Sequence, residues 1–156
     1  MRKFGIWLQN RPRFLERLYN FVLRLMTALN PLIKKIGYER VERVIWWPED
    51  WAKKMMFNCQ MCGQCVLHST GMTCPMSCPK DIRNGPCGGV RQNGHCEVKP
   101  AMRCVWVEAF ERSQKMEVFS GEMLLIQPPV NKTLGHRSAW ITMLTGEDQV
   151  VAPGWE

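Results

Sequence analysis

All eight cysteines of the 156-residue chain stand between Cys59 and Cys104. Their spacing, C-x2-C-x2-C-x8-C-x3-C-x8-C-x8-C-x7-C, is formed by Cys59, Cys62, Cys65, Cys74, Cys78, Cys87, Cys96 and Cys104. The opening triplet has the rhythm that wraps three corners of a cubane, one thiolate to each iron, with a fourth ligand arriving from a distance as Cys-Pro. Two such dipeptides follow, Cys74-Pro75 and Cys78-Pro79. Eight thiolates divide into two sets of four, so two [4Fe–4S] clusters is the direct arithmetic. Cys59, Cys62, Cys65 and one distant cysteine form one set on this reading, and the other four form the second. Two Zn(Cys)4 sites use the same eight ligands. The unbroken triplet favours iron–sulfur, because zinc modules more often present cysteines in separated pairs. A disulfide scaffold fits least. Arg11, Arg13 and Arg17 interrupt any apolar leader near the start, and thiols in a reducing cytoplasm stay free to bind metal.

The residues between the thiols suit this purpose. Asn84-Gly85-Pro86-Cys87-Gly88-Gly89 reads as a turn that tolerates positive φ and close backbone approach. Asn84, Gly85, Gly88 and Gly89 are therefore expected to shield a bound cluster and aim backbone N–H groups at its sulfurs. Lys80 and Arg83 lie close enough in sequence to offset its charge. With eight thiols present, His68, His95 and His136 read as surface or neighbouring groups rather than ligands. No Ser/His/Asp or Cys/His nucleophile set is legible, so no catalytic residue is assigned. The seven tryptophans read as core or interface anchors.

Three zones position these residues: a basic amphipathic helical segment over 1–57, a cysteine-rich core plus helix over 58–116, and an extended tail with a short helix over 117–156. The expected fold class is a small α plus irregular metal-centred domain with little β structure. At 100° per residue, Leu15, Leu18, Tyr19, Phe21, Val22, Leu25, Met26, Leu29, Leu32, Ile33 and Ile36 fall on one side of a helix. Arg13, Glu16, Arg17, Asn20, Arg24, Thr27, Lys34 and Lys35 fall on the other. Asn10 and Pro12 mark a start, Pro31 a break between helices over 12–29 and 31–37, and Gly37 a stop. The stretch YERVERVIWWPEDWAKKMMF is aromatic-rich and leads into the first cysteine. After Cys104, VWVEAFERSQKM predicts a helix with Trp106, Ala109, Phe110 and Met116 turned inward. MLLIQPPV predicts an extended piece, and SAWITMLTG a short helix capped by Ser138 and ended by Gly146. The last ten residues read as loose.

The run CPMSCPKDIRNGPCGG with the following GHCEV, Cys104 and Trp106 resembles the C-terminal family of methylenetetrahydrofolate reductases. The likeness covers residues 56–112, with a possible continuation into SAWITMLTGE and a lineage-specific first fifty residues. It implies a stand-alone small subunit that passes electrons through its clusters to FMN or FAD on a separate flavin-bearing barrel subunit. An eight-fold β/α barrel needs roughly 250 residues, and no strand–helix alternation is legible in this chain. The flavin and folate sites then belong to the partner, and this chain alone is not catalytic.

Charge supports a docking role. Residues 1–57 carry 12 Lys/Arg and 5 Asp/Glu, whereas residues 58–156 carry 9 of each, so the whole excess of +7 lies at the front. A basic amphipathic front suits a protein partner, an acidic electron carrier such as ferredoxin, or an anionic surface. Nucleic acid fits poorly, because the cysteine zone is not basic. No apolar run approaches the ~18 residues that span a bilayer.

Overall fold

Long amphipathic segments and a glycine stop produce three consecutive helices in the computed structural model, which describes residues 2–85, 87–151 and 154. They are α1 (Arg2–Gln9), α2 (Pro12–Ile36) and α3 (Tyr38–Phe57). Pro12 opens α2, where a missing N–H costs nothing. Gly37, at φ 103°, closes it by donating its N–H to the Ile33 carbonyl. The aromatic-rich stretch before the first cysteine is thus helix α3, and Asn58 ends it in the left-handed conformation at φ 53°.

Pro31 does not divide α2 as the sequence suggests. It and Thr27, whose carbonyl loses its helical partner, are both exposed, so that oxygen stays within reach of solvent. Pro48 is carried inside α3 in the same way, opposite the exposed Val44.

The phase of α2 also differs from expectation. Leu15 and Ile33 are buried, and Tyr19 packs against the core. Phe14, Leu18, Phe21, Leu25, Leu29, Leu32 and Ile36 are exposed instead, forming a second apolar stripe along the outside of the helix. Glu16, assigned by its period to the polar face, is buried. Its carboxylate accepts the backbone N–H groups of Glu117, Val118 and Phe119 at 2.9, 2.8 and 2.9 Å. That bond set fastens α2 to the chain beyond helix α4 (Val105–Ser113).

Between α3 and α4 the chain is irregular. It holds one 3-10 turn, Pro75–Ser77, and two isolated antiparallel bridges, Val90 with Cys96 and His95 with Arg103. In α4, Trp106 and Ala109 face inward and Met116 beyond it is buried, but Phe110 is exposed. Phe110 stands one position past Ala109, about 100° round the helix, and leaves the buried face. Helix α5 (Ala139–Thr145) begins at Ser138, whose hydroxyl accepts the Ile141 N–H, and ends at Gly146 with φ 76°. Of the expected loose tail, Glu147–Gln149 forms a 3-10 turn, while residues 152, 153, 155 and 156 lie outside the described residues. So does Pro86 of the glycine turn.

Two apolar clusters form the core, and both contain cysteine. Leu8, Leu15, Phe57, Leu67, Met72, Cys74 and Met116 make the first. Cys78, Cys104, Trp106 and Ala109 make the second. The helical front thus packs on the cysteine zone through α1, the inner face of α2 and the end of α3. Gly5 permits the close approach of α1 to α3: a Cβ there would stand 2.9 Å from the Met55 carbonyl oxygen.

Candidate metal centre

The backbone first dictates where the sulfurs point. Met61 adopts φ 48° and Gly63 φ 74°, so the chain curls after Cys59 and again after Cys62. The curl turns the Met61 N–H onto the Cys59 sulfur at 3.3 Å. The same two-residue relation recurs at Cys65 with the Leu67 N–H, at Cys74 with Met76, and at Cys87 with Gly89, there at 3.4 Å. N–H groups aimed at sulfur stabilise the thiolate, which is the ligating form.

Cys59, Cys62, Cys65 and Cys74 line one pocket of about 420 Å3 of empty space, part of it open to solvent. Cys74 is therefore the distant cysteine that shares a pocket with the triplet. Its thiol donates to Cys59, and this bond, the Met61 N–H and the nearby Lys53 pull Cys59 down to about 7, against the effect of burial. The shared proton and burial push the Cys74 thiol up. Burial raises Cys65 as well, with Lys53 and the Leu67 N–H opposing it.

Two buried cations line the same pocket. Lys53 is 7% exposed, and its Nζ donates to Glu49 Oε1 at 2.5 Å. Burial alone lowers its ammonium, but Cys65 and Glu49 outweigh that and hold it above the ordinary lysine value. Arg83 is also 7% exposed. Its two terminal nitrogens donate to the Gln64 carbonyl at 3.2 Å each, while its buried Nε has no partner. Burial lowers the Arg83 guanidinium, and the sulfurs of Cys62 and Cys65 pull it back.

A frame of residues outside the thiol zone holds the triplet loop in place. Thr142 of α5 donates its hydroxyl to the Gly63 carbonyl at 2.5 Å, and the His136 N–H donates to the Met61 carbonyl at 2.8 Å. The fully buried Gln64 side chain donates to the Asp148 carbonyl and accepts the Asn131 N–H. Neither Gln64 nor Lys53 stands out in the sequence as a site residue. The one available signal is the i,i+4 pair Glu49–Lys53 continued by Phe57, a row that α3 buries.

Of the other four cysteines, two lie beside α4. Cys78 and Cys104 pack with Trp106. The Cys104 N–H donates to Gly94 O at 2.9 Å and the Cys96 N–H to Met102 O at 3.0 Å, closing a loop that brings these two together. The Glu97 N–H reaches Gly89 O, tying the Cys87 turn to Cys96. Among the described residues, no three His, Cys, Asp or Glu side chains converge tightly enough to hold one metal ion.

The glycine turn differs in detail from expectation. Gly85, Gly88 and Gly89 have no positive φ. Gly85 is required by packing, since a Cβ there would stand 2.2 Å from the Trp106 ring. Gly89 lies as close to the Glu97 carboxylate and sends its N–H to Cys87, as the sequence reading asks. Gly88 has open space around it. Asn84 is spent on a reciprocal pair with the Gln127 backbone, at 2.8 and 2.9 Å. Lys80 stands 3.5 Å from the Cys87 sulfur and also pairs with Glu97. Of the histidines, His68 pairs with Glu122 at 2.5 Å, His95 Nδ1 meets the Pro100 carbonyl, and His136 is an exposed residue whose N–H serves the triplet loop.

Helices framing cysteine-lined loops define a small cysteine-centred module. The chain belongs to the methylene-tetrahydrofolate reductase C-terminal family, whose family model matches residues 38–133. The matched span takes in α3, all eight cysteines and α4. It leaves out α1, α2 and the tail helix α5. No curated protein and no solved structure matches the chain.

Proposed function

We propose that this chain is an iron–sulfur electron-transfer subunit acting beside a flavin-bearing methylenetetrahydrofolate reductase subunit. The observation that carries the reading is the pocket lined by Cys59, Cys62, Cys65 and Cys74, with N–H groups on three of its sulfurs and the unpartnered Arg83 Nε beside them. Four thiolates plus bridging sulfides make an anion, and this pocket supplies cations and donors for one. The unbroken triplet Cys59, Cys62 and Cys65, with Cys74 lining the same pocket, suits one iron per thiolate better than a single zinc. Cys78, Cys87, Cys96 and Cys104 would hold the second cluster.

Bound there, each cluster stores and releases single electrons. The chain's own residues do the rest. Cys74 and Cys78, both buried, keep water from their sulfurs. Lys53 and Arg83 offset charge at the first set. The flavin, as FMN or FAD, and the folate belong to the partner subunit, so the chain is an accessory rather than a catalyst. The outer stripe of α2 is the face proposed to dock that partner: it is apolar, edged by Arg13, Arg17, Arg24 and Lys35, and lies outside the family-matched span. Among the described residues no helix is long and apolar enough to cross a membrane.

Metal and acid-labile sulfide analysis of anaerobically purified protein tests the reading. About eight iron and eight sulfide per chain, as two four-iron clusters require, is the expected result. About two zinc and no sulfide, one ion per four thiolates, would make the chain a structural module that stabilises the reductase subunit without carrying electrons.

A further inference from the structure

The two cysteine sets stand in unequal electrostatic surroundings. Three basic side chains are buried among the described residues: Lys53, Arg83 and Arg112. Two of them line the first pocket. The third is engaged elsewhere, donating to Gln9 and Thr73 at 3.0 and 2.8 Å and pairing with Glu108.

The two pocket cations are not equivalent. Lys53 is balanced by Glu49, and Glu49 in turn accepts from Ser138 Oγ at 2.5 Å and from the Ala139 N–H at 3.2 Å. Part of that carboxylate's charge is thereby taken up at the start of α5. Arg83 meets the neutral carbonyl of Gln64 and the Cys62 sulfur, and among the described residues no carboxylate pairs with it. An uncompensated buried charge is expensive, by several kcal/mol in general. The neighbours able to compensate Arg83 are the sulfurs of Cys62, Cys65 and Cys74.

Among the described residues no buried cation is found beside the second set; Lys80, next to Cys87, is exposed and already paired with Glu97. A fixed positive charge in a low-dielectric site favours the more negative, reduced state of a neighbouring centre. Near solvent, a neutralised ion pair exerts little such pull. The N–H groups of Met61, Leu67 and Met76 act in the same direction at the first set.

We infer that Arg83, backed by Lys53, holds the centre at Cys59, Cys62, Cys65 and Cys74 at a higher reduction potential than the centre at Cys78, Cys87, Cys96 and Cys104. The two centres are therefore ranked, and the first electron taken up rests at the first set. Arg83 is a positioning residue for that electron and ligates nothing itself. The inference rests on the iron–sulfur reading above.

The test is a potentiometric titration of the full iron-loaded chain with dithionite under argon, followed by electron paramagnetic resonance. The wild type is expected to reduce in two separate steps. In R83Q, with unchanged iron and sulfide content, the higher midpoint falls and the lower one stays. R83K restores much of the difference, because it returns the charge. K80Q leaves the higher midpoint in place. A single unresolved midpoint in the wild type overturns the ranking, as does an R83Q protein in which neither midpoint moves or both move together. Where R83Q fails to assemble its iron, K80Q decides: a shift of its higher midpoint overturns the assignment. Zinc without labile sulfide in the purified wild type overturns the underlying reading, an outcome distinct from two unranked iron centres.

Discussion

The Glu16 carboxylate in α2 receives the Val118 N–H at 2.8 Å across 102 residues of sequence, within a nest completed by Glu117 and Phe119. A buried carboxylate holding three backbone donors is a clamp between the helical front and the chain after α4. E16A removes the acceptor shared by the three N–H groups. Hydrogen bonds to charged groups contribute about 1.5–3 kcal/mol each, and the three share one carboxylate, so a loss of about 3 kcal/mol is expected. Urea unfolding followed by tryptophan fluorescence reads it as a lower midpoint; an unchanged midpoint would show that the clamp contributes nothing.

The glycines around Cys87 separate by what surrounds them. G85A drives a methyl into the buried Trp106 ring, whose Nε1 is fixed on the Ile82 carbonyl at 3.2 Å. Overpacking of this kind costs about 1–3 kcal/mol. G88A meets open space and should stay within about 0.5 kcal/mol of wild type, as surface substitutions do. Thermal melts of the metal-loaded variants compare the two directly. Equal effects would remove the packing argument for Gly85.

Docking through α2 predicts a clean separation of functions. F21E with L25E places two charges on the outer stripe, where both side chains are already exposed. Metal content and helicity should stay at wild-type levels, while co-purification of the flavin-bearing reductase subunit is lost. Retained co-purification would assign the stripe to another surface, and loss of binding to anionic vesicles in the same variant would name that surface.

Removing the metal should disorder the middle of the chain and spare the front. Among the described residues, the regular structure of 58–104 is one three-residue turn and two isolated bridges, whereas α1 to α3 carry their own helical hydrogen bonds. After chelation, the far-ultraviolet helical signal should largely persist. The near-ultraviolet signal of Trp106 should collapse, because its neighbours Cys78 and Cys104 lose their fixed positions. Retention of both signals would show a fold independent of metal.

Local signals in the sequence were reliable at the helix ends where a glycine or a capping hydroxyl decides the outcome. Gly37 and Gly146 end helices and Ser138 caps one, because backbone freedom and a hydroxyl act within a few residues. Spacing left open which distant cysteine lies with the triplet, and Cys74 is the one that lines the same pocket. Side-chain fate across α2 was not legible. Its inner and outer stripes adjoin, so together they look like one wide apolar face, and only the docked partners decide which part is covered. Glu16 and Lys53 were hidden for a related reason: each is buried by groups far along the chain, the 117–119 backbone in one case and α5 in the other. Pro31 misled because the cost of a proline depends on whether water reaches the freed carbonyl, which sequence does not record.

The strap over the triplet loop sets an order of assembly. Thr142, His136 and Asp148 bind the loop from residues that follow every cysteine. During synthesis all eight thiols leave the ribosome before the segment that fastens the first pocket. The thiols thus emerge before the residues that fasten their loop, and on the iron–sulfur reading proposed above those residues latch a site whose ligands are all already present.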